Sequence, residues 1–168
     1  GSYRRIINIP DNWDGKQVIA HFGSVTSNMY LWVNGSYVGY TEDSKVAAEF
    51  DITKYLKKGT NLISFQTFRW SDGSYCEDQD FWRLSGVARE CYLYARDNKV
   101  HVEDMHITPN LTNNYEDGEA LVKVNAKGNP IIDFEIFNAN GISVLKTESN
   151  FKNRNIGSAR FMLRNVKR

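Results

Sequence analysis

The groups best equipped for chemistry crowd into one stretch, Arg69 to Gly86, which reads Arg-Trp-Ser-Asp-Gly-Ser-Tyr-Cys-Glu-Asp-Gln-Asp-Phe-Trp-Arg-Leu-Ser-Gly. Asp72, Glu77, Asp78 and Asp80 offer carboxylates that can accept hydroxyl hydrogens or hold a hard cation. Arg69 and Arg83 offer fixed positive charge, and the competing reading is that they pair with these carboxylates and hold the loop. The stretch has no apolar alternation and is not expected to be a strand. Ser71-Asp72-Gly73-Ser74 is turn chemistry. Trp70, Tyr75, Phe81 and Trp82 are rings too large to leave in water without a reason. The expectation is a long ordered loop pinned by buried Trp70 and Trp82, with Asp80 more exposed than either. Long structured loops inside compact domains are usually functional.

Other reactive groups are scattered. Cys76 lies in the loop and Cys91 in a strand-like run, which suggests two unpaired thiols. The spacings of Cys/His metal sites are absent. His21, His101 and His106 stand alone on strand-like runs and read as structural or surface residues.

The elements that must position the loop are short strands. Apolar runs occur at 5–9, 18–22, 28–33 and 37–40, and Leu62 to Phe68 delivers the chain into the loop. In 28–33, Met29, Leu31 and Val33 share one face and Tyr30 and Trp32 the other, so this strand should be covered on both sides. Asn34-Gly35 between two such runs predicts a hairpin, because both turn positions want positive φ. The same asparagine matches a glycosylation acceptor, Asn34-Gly35-Ser36, but the turn reading is preferred. Residues 51–59 read as one or two helical turns capped by Asp51 or Thr53 and ended by Gly59. Glu90 to Ala95 is a further strand.

Asp97-Asn98-Lys99 reads as a boundary, dividing the chain into 1–96 and 97–168. Beyond it lies simple apolar–polar alternation, with strands expected at 100–108, 119–126, 131–137, 142–148 and 157–164. The fold class is all-β, a sandwich in each part. Aromatic content of 13% suits β structure and sugar-facing surfaces. With a net charge of +1 and no long Lys/Arg cluster, a nucleic-acid partner is not expected. No apolar run approaches the ~20 residues of a membrane span.

Four segments carry a resemblance. Tyr-Leu-Trp-Val-Asn-Gly (30–35), Val-Gly-Tyr-Thr-Glu-Asp-Ser-Lys (38–45), Ala-Glu-Phe-Asp-Ile-Thr (48–53) and the whole of 69–86 resemble the bacterial β-galactosidases of glycoside hydrolase family 2. The likeness is close to about Ala95 and weaker beyond. It implies a jelly-roll sugar-binding domain at 1–96 whose first strands lie upstream of Gly1. It also implies an immunoglobulin-like domain at 97–168 that continues past Arg168. A (β/α)-barrel holding both catalytic glutamates would follow, so no catalytic residue is assigned here.

The resemblance assigns Asp80 to the family aspartate that reaches the active site and helps bind galactosyl hydroxyls and sodium. Glu42 and Asp72 match positions that in some members help hold a second divalent ion, magnesium, although Glu42 replaces an amide there. The galactoside substrate would be bound jointly with the barrel, and the parent enzyme would be a homo-oligomer. The alternative function is a free-standing carbohydrate-binding or assembly module, since jelly rolls serve as lectin-like domains. An incomplete second domain should also expose Ile132, Phe134, Ile136 and Phe161 and drive self-association.

Overall fold

Strand alternation builds the chain into two units, Gly1–Asp97 and Asn98–Arg168. They are seen in a computed structural model that describes residues 1–77, 79, 80, 82, 84–150, 156–164 and 166.

The first unit carries β1 (Ser2–Ile9), β2 (Gln17–Phe22), β3 (Val25–Thr26), β4 (Asn28–Val33), β5 (Ser36–Thr41), β6 (Ala48–Asp51), β7 (Gly59–Phe68), β8 (Gly86–Val87) and β9 (Cys91–Arg96). A short helix, α1 (Gly73–Cys76), interrupts the loop after β7. One antiparallel sheet has the order β1-β7-β4-β5 and a second the order β6-β2-β9. Their inner faces meet. Met29, Leu31, Val33 and Ile63 from the first pack with Val18, Ala20 and Phe22 from the second. Phe22 makes edge contacts with Phe50 and Phe65, which closes the layer between the sheets.

The β4–β5 hairpin turns at Asn34 and Gly35, with φ of 50° and 82°, as the Asn-Gly pair predicts. Asn34 is also fixed from the side. Its amide donates to Tyr55 O and to Asn61 Oδ1, both at 2.8 Å, and its carbonyl accepts from Leu62 N–H. Both side-chain atoms of Asn34 are therefore used within the fold. The predicted helical turns after Asp51 reduce to one 3-10 turn, Thr53–Tyr55. Asp51 Oδ1 accepts from Thr53 N–H and from its hydroxyl, so the aspartate holds the turn from outside it.

One expectation about β4 changes. Its inner face is buried, but Tyr30 and Trp32 remain partly exposed on the outer face. What covers them is other rings on the same surface, Tyr40 and Phe68 beside Tyr30 and Tyr37 beside Trp32.

The second unit contains β10 (His101–Thr112), β11 (Asp117–Lys127), β12 (Ile131–Phe137), β13 (Ser143–Asn150) and β14 (Ile156–Leu163). Each of the five predicted runs forms a strand. The sheet β10-β11-β14 faces the pair β12-β13 across a small core of Val122, Val124, Ala126, Phe134 and Phe161. Phe134 and Phe161 meet at 5.4 Å.

The sequence places the uncovered apolar surface incorrectly. Phe134 and Phe161 are buried, and Ile132 and Ile136 pack against them. The exposed side chains are on β10. Met105 pairs with Val124, and Ile107 with Val122, in adjacent strands, so each pair shares the inner face. Val124 is 2% exposed, yet Met105 is 55% and Ile107 51% exposed. The two-stranded layer covers β11 and β14 and stops short of β10.

Candidate functional site

The loop after β7 starts from a buried anchor. Ser27 N–H donates to Phe68 O at 3.1 Å as β7 ends. The Ser27, Ser71 and Ser74 hydroxyls then cluster, with Ser27 Oγ bonded to Ser71 Oγ and, at 3.0 Å, to Ser74 Oγ. Ser71 N–H also donates to Ser74 Oγ. Hydroxyls can donate and accept together, so three serines close on themselves without a charge.

Two carboxylates then tie this loop to the loop after β5. Glu42 Oε1 accepts from Gly73 N–H at 2.6 Å, and Glu77 Oε1 accepts from Ser44 N–H at 3.0 Å. Each loop thus lends a carboxylate to the other loop's backbone. Gly73 lets this approach be close, since a Cβ there would lie 2.9 Å from Glu42 Oε1 and the glutamate would have to shift.

Glu42 has a second donor, the Tyr40 hydroxyl, on its Oε2 at 2.5 Å. That bond, then the neighbouring Asp72 carboxyl and the Gly73 N–H, holds the Glu42 carboxyl down at about 2. Burial, then the bond to Glu42, pushes the Tyr40 phenol up to about 12. Tyr40 escapes notice in a search for catalytic groups. Its place two residues before Glu42 in strand spacing, hence on the same face, was the available signal.

The structure brings Glu42 and Asp72 together, and Asp80 is exposed at a bend. Glu42 and Asp72 make an incomplete set for a divalent ion. Such ions take six or more oxygens, both Glu42 oxygens already accept hydrogen bonds, and among the described residues no three His, Cys, Asp or Glu converge. A hard cation at either place would need donors from elsewhere. Asp78, Phe81 and Arg83 lie outside the described residues, and so does the expected pairing of Arg83 with a carboxylate. Arg69 instead lies over the Trp70 ring at 5.2 Å.

The aromatics do not pin the loop from inside. Trp70 is 56% exposed and Trp82 79%, and Tyr75 and Leu84 are exposed too. Serine hydroxyls and carboxylate–backbone bonds hold it instead, which leaves the rings turned outward. Behind them lies a cleft of about 440 Å³, bordered by Asp43, Lys45, Arg69, Trp70, Glu77 and Trp82 among others.

The histidines and cysteines fall where the sequence put them. His21 stacks on Tyr92 and bonds Glu49 through Nδ1. His101 and His106 lie on β10, outside the first unit. Cys76 and Cys91 are free and exposed.

Comparisons with known proteins agree with this picture. The chain is similar to a β-galactosidase of Priestia megaterium, with 48% identity over 122 residues, 73% of this chain and 12% of that protein. A β-galactosidase of Halalkalibacterium halodurans is 42% identical over 118 residues, again 12% of its length. The chain thus spans about an eighth of the curated relatives it matches. Among solved structures, a Bifidobacterium dentium β-glucuronidase superposes with a TM-score of 0.82 at 17% identity, over 99% of this chain and 33% of that one. A Bacteroides vulgatus β-glycosidase gives 0.79 at 22% identity, over 98% and 21%. These two speak for the fold alone. The family model for the sugar binding domain of glycosyl hydrolases family 2 matches residues 1–97, and the chain belongs to that family.

Proposed function

We propose that this chain is the non-catalytic N-terminal part of a β-galactosidase that hydrolyses terminal β-D-galactosides with retention. The observation that carries the reading is the outward face of the 69–86 loop. Asp80, Trp70, Tyr75, Trp82 and Leu84 are all exposed on a loop whose root is tightly bonded. A surface that is apolar, aromatic and rigidly based fits burial against another domain. The chain's likeness to β-galactosidases, at 48% and 42% identity, supports this reading.

In this reading the barrel supplies the acid and the nucleophilic carboxylate, which lie ~5–5.5 Å apart in retaining enzymes. Asp80 accepts from sugar hydroxyls and shares a sodium ion, which when bound offsets its charge and orients those hydroxyls. Glu42 and Asp72 would add two donors to a peripheral magnesium site. The rest of this chain holds Asp80 in place.

The test is Asp80→Asn in the full-length enzyme. Amide for carboxylate keeps the shape and removes the charge. Turnover should fall by orders of magnitude, since hydroxyl contacts that strengthen in the transition state are worth several kcal/mol, and its sodium dependence should flatten. Activity within threefold of the parent at every sodium concentration overturns the role of Asp80. The purified 168-residue chain should not turn over a chromogenic galactoside.

A second reading, a free-standing carbohydrate-binding or assembly module, draws on the aromatic outer face of the β1-β7-β4-β5 sheet. It predicts no barrel encoded downstream of Arg168, which reading the gene decides.

A further inference from the structure

The outer face of the first sheet carries an ordered pattern that the loop does not use. Register places Arg4, Ser64, Trp32 and Tyr37 side by side across β1, β7, β4 and β5. The next row on the same face is Ser2, Gln66, Tyr30 and Tyr40. Each row therefore runs from polar groups to rings. The four rings are continuous. Tyr30 and Trp32 stack at 6.1 Å, Trp32 meets Tyr37 at 5.9 Å, and Tyr30 meets Tyr40 at 4.7 Å.

The polar half is lower than the aromatic half, because serine is much smaller than tryptophan. A shallow groove of about 440 Å³ lies there, with Trp32 as one wall, Ser2, Arg4, Ser64 and Gln66 around it, and Tyr3 and Phe65 completing its lining. Among the described residues no carboxylate lines it. Gln66 Nε2 makes one long bond, 3.4 Å, to Ser2 Oγ. The Arg4 guanidinium makes no ion pair among the described residues.

We infer that this groove is a second saccharide site, which takes a pyranose ring stacked against Trp32 with its hydroxyls toward Arg4, Ser64 and Gln66. A pyranose has two kinds of surface. Its C–H face is weakly positive and apolar and suits the negative face of an aromatic ring. Its rim of hydroxyls donates and accepts, and each hydroxyl loses free energy if buried without a partner. Arginine donates only, while serine and glutamine both donate and accept. An apolar protein surface would meet the rings but would leave Arg4, Gln66 and the serines without partners. The mixed wall and floor therefore favour a sugar over a protein.

The site is separate from Asp80 and stands whether or not the parent enzyme cleaves galactosides. The two places are nevertheless connected. The second row ends at Tyr40, whose hydroxyl bonds Glu42 and through it Gly73 of the loop. The rings thus lead toward the loop, a path along which an oligosaccharide can lie.

The experiment is titration of the 168-residue chain with β-1,4-galactotetraose, followed by calorimetry and tryptophan fluorescence. Four variants are compared, Trp32→Ala, Ser64→Leu, Arg4→Ala and, as a control, Lys146→Ala on the exposed surface of the second unit. Ser64→Leu fills the groove without removing a ring and guards against misfolding of Trp32→Ala, and circular dichroism confirms each fold. Binding should be lost in Trp32→Ala and Ser64→Leu, weakened about tenfold in Arg4→Ala, and unchanged in Lys146→Ala. The inference is overturned if the chain binds no tetraose, or if binding survives Ser64→Leu. It is equally overturned if Lys146→Ala loses binding as Trp32→Ala does.

Discussion

The Tyr40 hydroxyl donates to Oε2 of Glu42 at 2.5 Å, and the other Glu42 oxygen accepts from the backbone of the candidate loop. One strand residue thus governs, through one carboxylate, how the loop is seated.

This relationship makes the loop sensitive to pH at both extremes. Glu42 sits at about 2 against an ordinary 4.5, a lowered carboxyl. Its contribution is full above the ordinary value and is lost as pH falls through about 2. Tyr40 sits at about 12 against 10.0, a raised acid that contributes fully below 10.0 and is lost as pH rises through about 12. Hydrogen exchange of the Gly73 amide should be faster in Tyr40→Phe than in the parent at neutral pH. The gap between the two in urea-unfolding midpoint should be flat at intermediate pH and close at both extremes. A gap that is constant from strong acid to strong alkali would contradict the coupling.

Exposure divides the aromatic and apolar side chains into two stability classes. Trp82 is 79% exposed, and Trp82→Ala should cost less than ~1 kcal/mol in this chain. Leu31 is fully buried between the sheets, and Leu31→Ala should cost ~2–5 kcal/mol. Equilibrium denaturation of the two variants side by side provides the comparison. In the longer enzyme the cost of Trp82→Ala should rise, because the proposed neighbour would bury the ring.

Asn61 is a buried polar group with every bond made. Its Oδ1 accepts from Asn34 Nδ2 and Lys57 N–H, and its Nδ2 donates to the Lys57 and Gly59 carbonyls. Asn61→Ala would remove all of these bonds and leave partly buried groups unmatched, at a cost of about 1–3 kcal/mol by thermal or chemical melting. The Asn34-Gly35 turn should loosen with it, seen as faster exchange at Leu62 N–H, which Asn34 Oδ1 accepts.

The uncovered inner face of β10 should make the chain self-associate. Ile107→Lys adds charge to a side chain already 51% exposed and should reduce association with little change in stability. Val124→Lys, on the covered part of the same face, should unfold the second unit. Sedimentation velocity at rising concentration checks both. A parent chain that stays strictly monomeric throughout would remove the reason for the first variant.

Much of this protein is determined within short windows of sequence. Alternation at 119–126, 131–137 and 157–164 is enough to make strands, because the period of two is a property of the extended backbone itself. Asn34-Gly35 makes its turn because those two residues accept positive φ. The family likeness is equally local, carried by residues such as those at 69–86. Burial is a different matter. Trp70 and Trp82 are large and apolar, yet three serines and two carboxylate–backbone bonds hold the loop, so the rings were free to face outward. Met105 and Val124 are both apolar residues on one sheet face, yet only Val124 lies beneath the second layer. Glu42 and Asp72 are 30 residues apart in sequence, and only the meeting of two loop roots brings them together. A residue's neighbours along the chain set its backbone and its facing. What covers that face depends on how far another layer extends, and no local pattern carries that length.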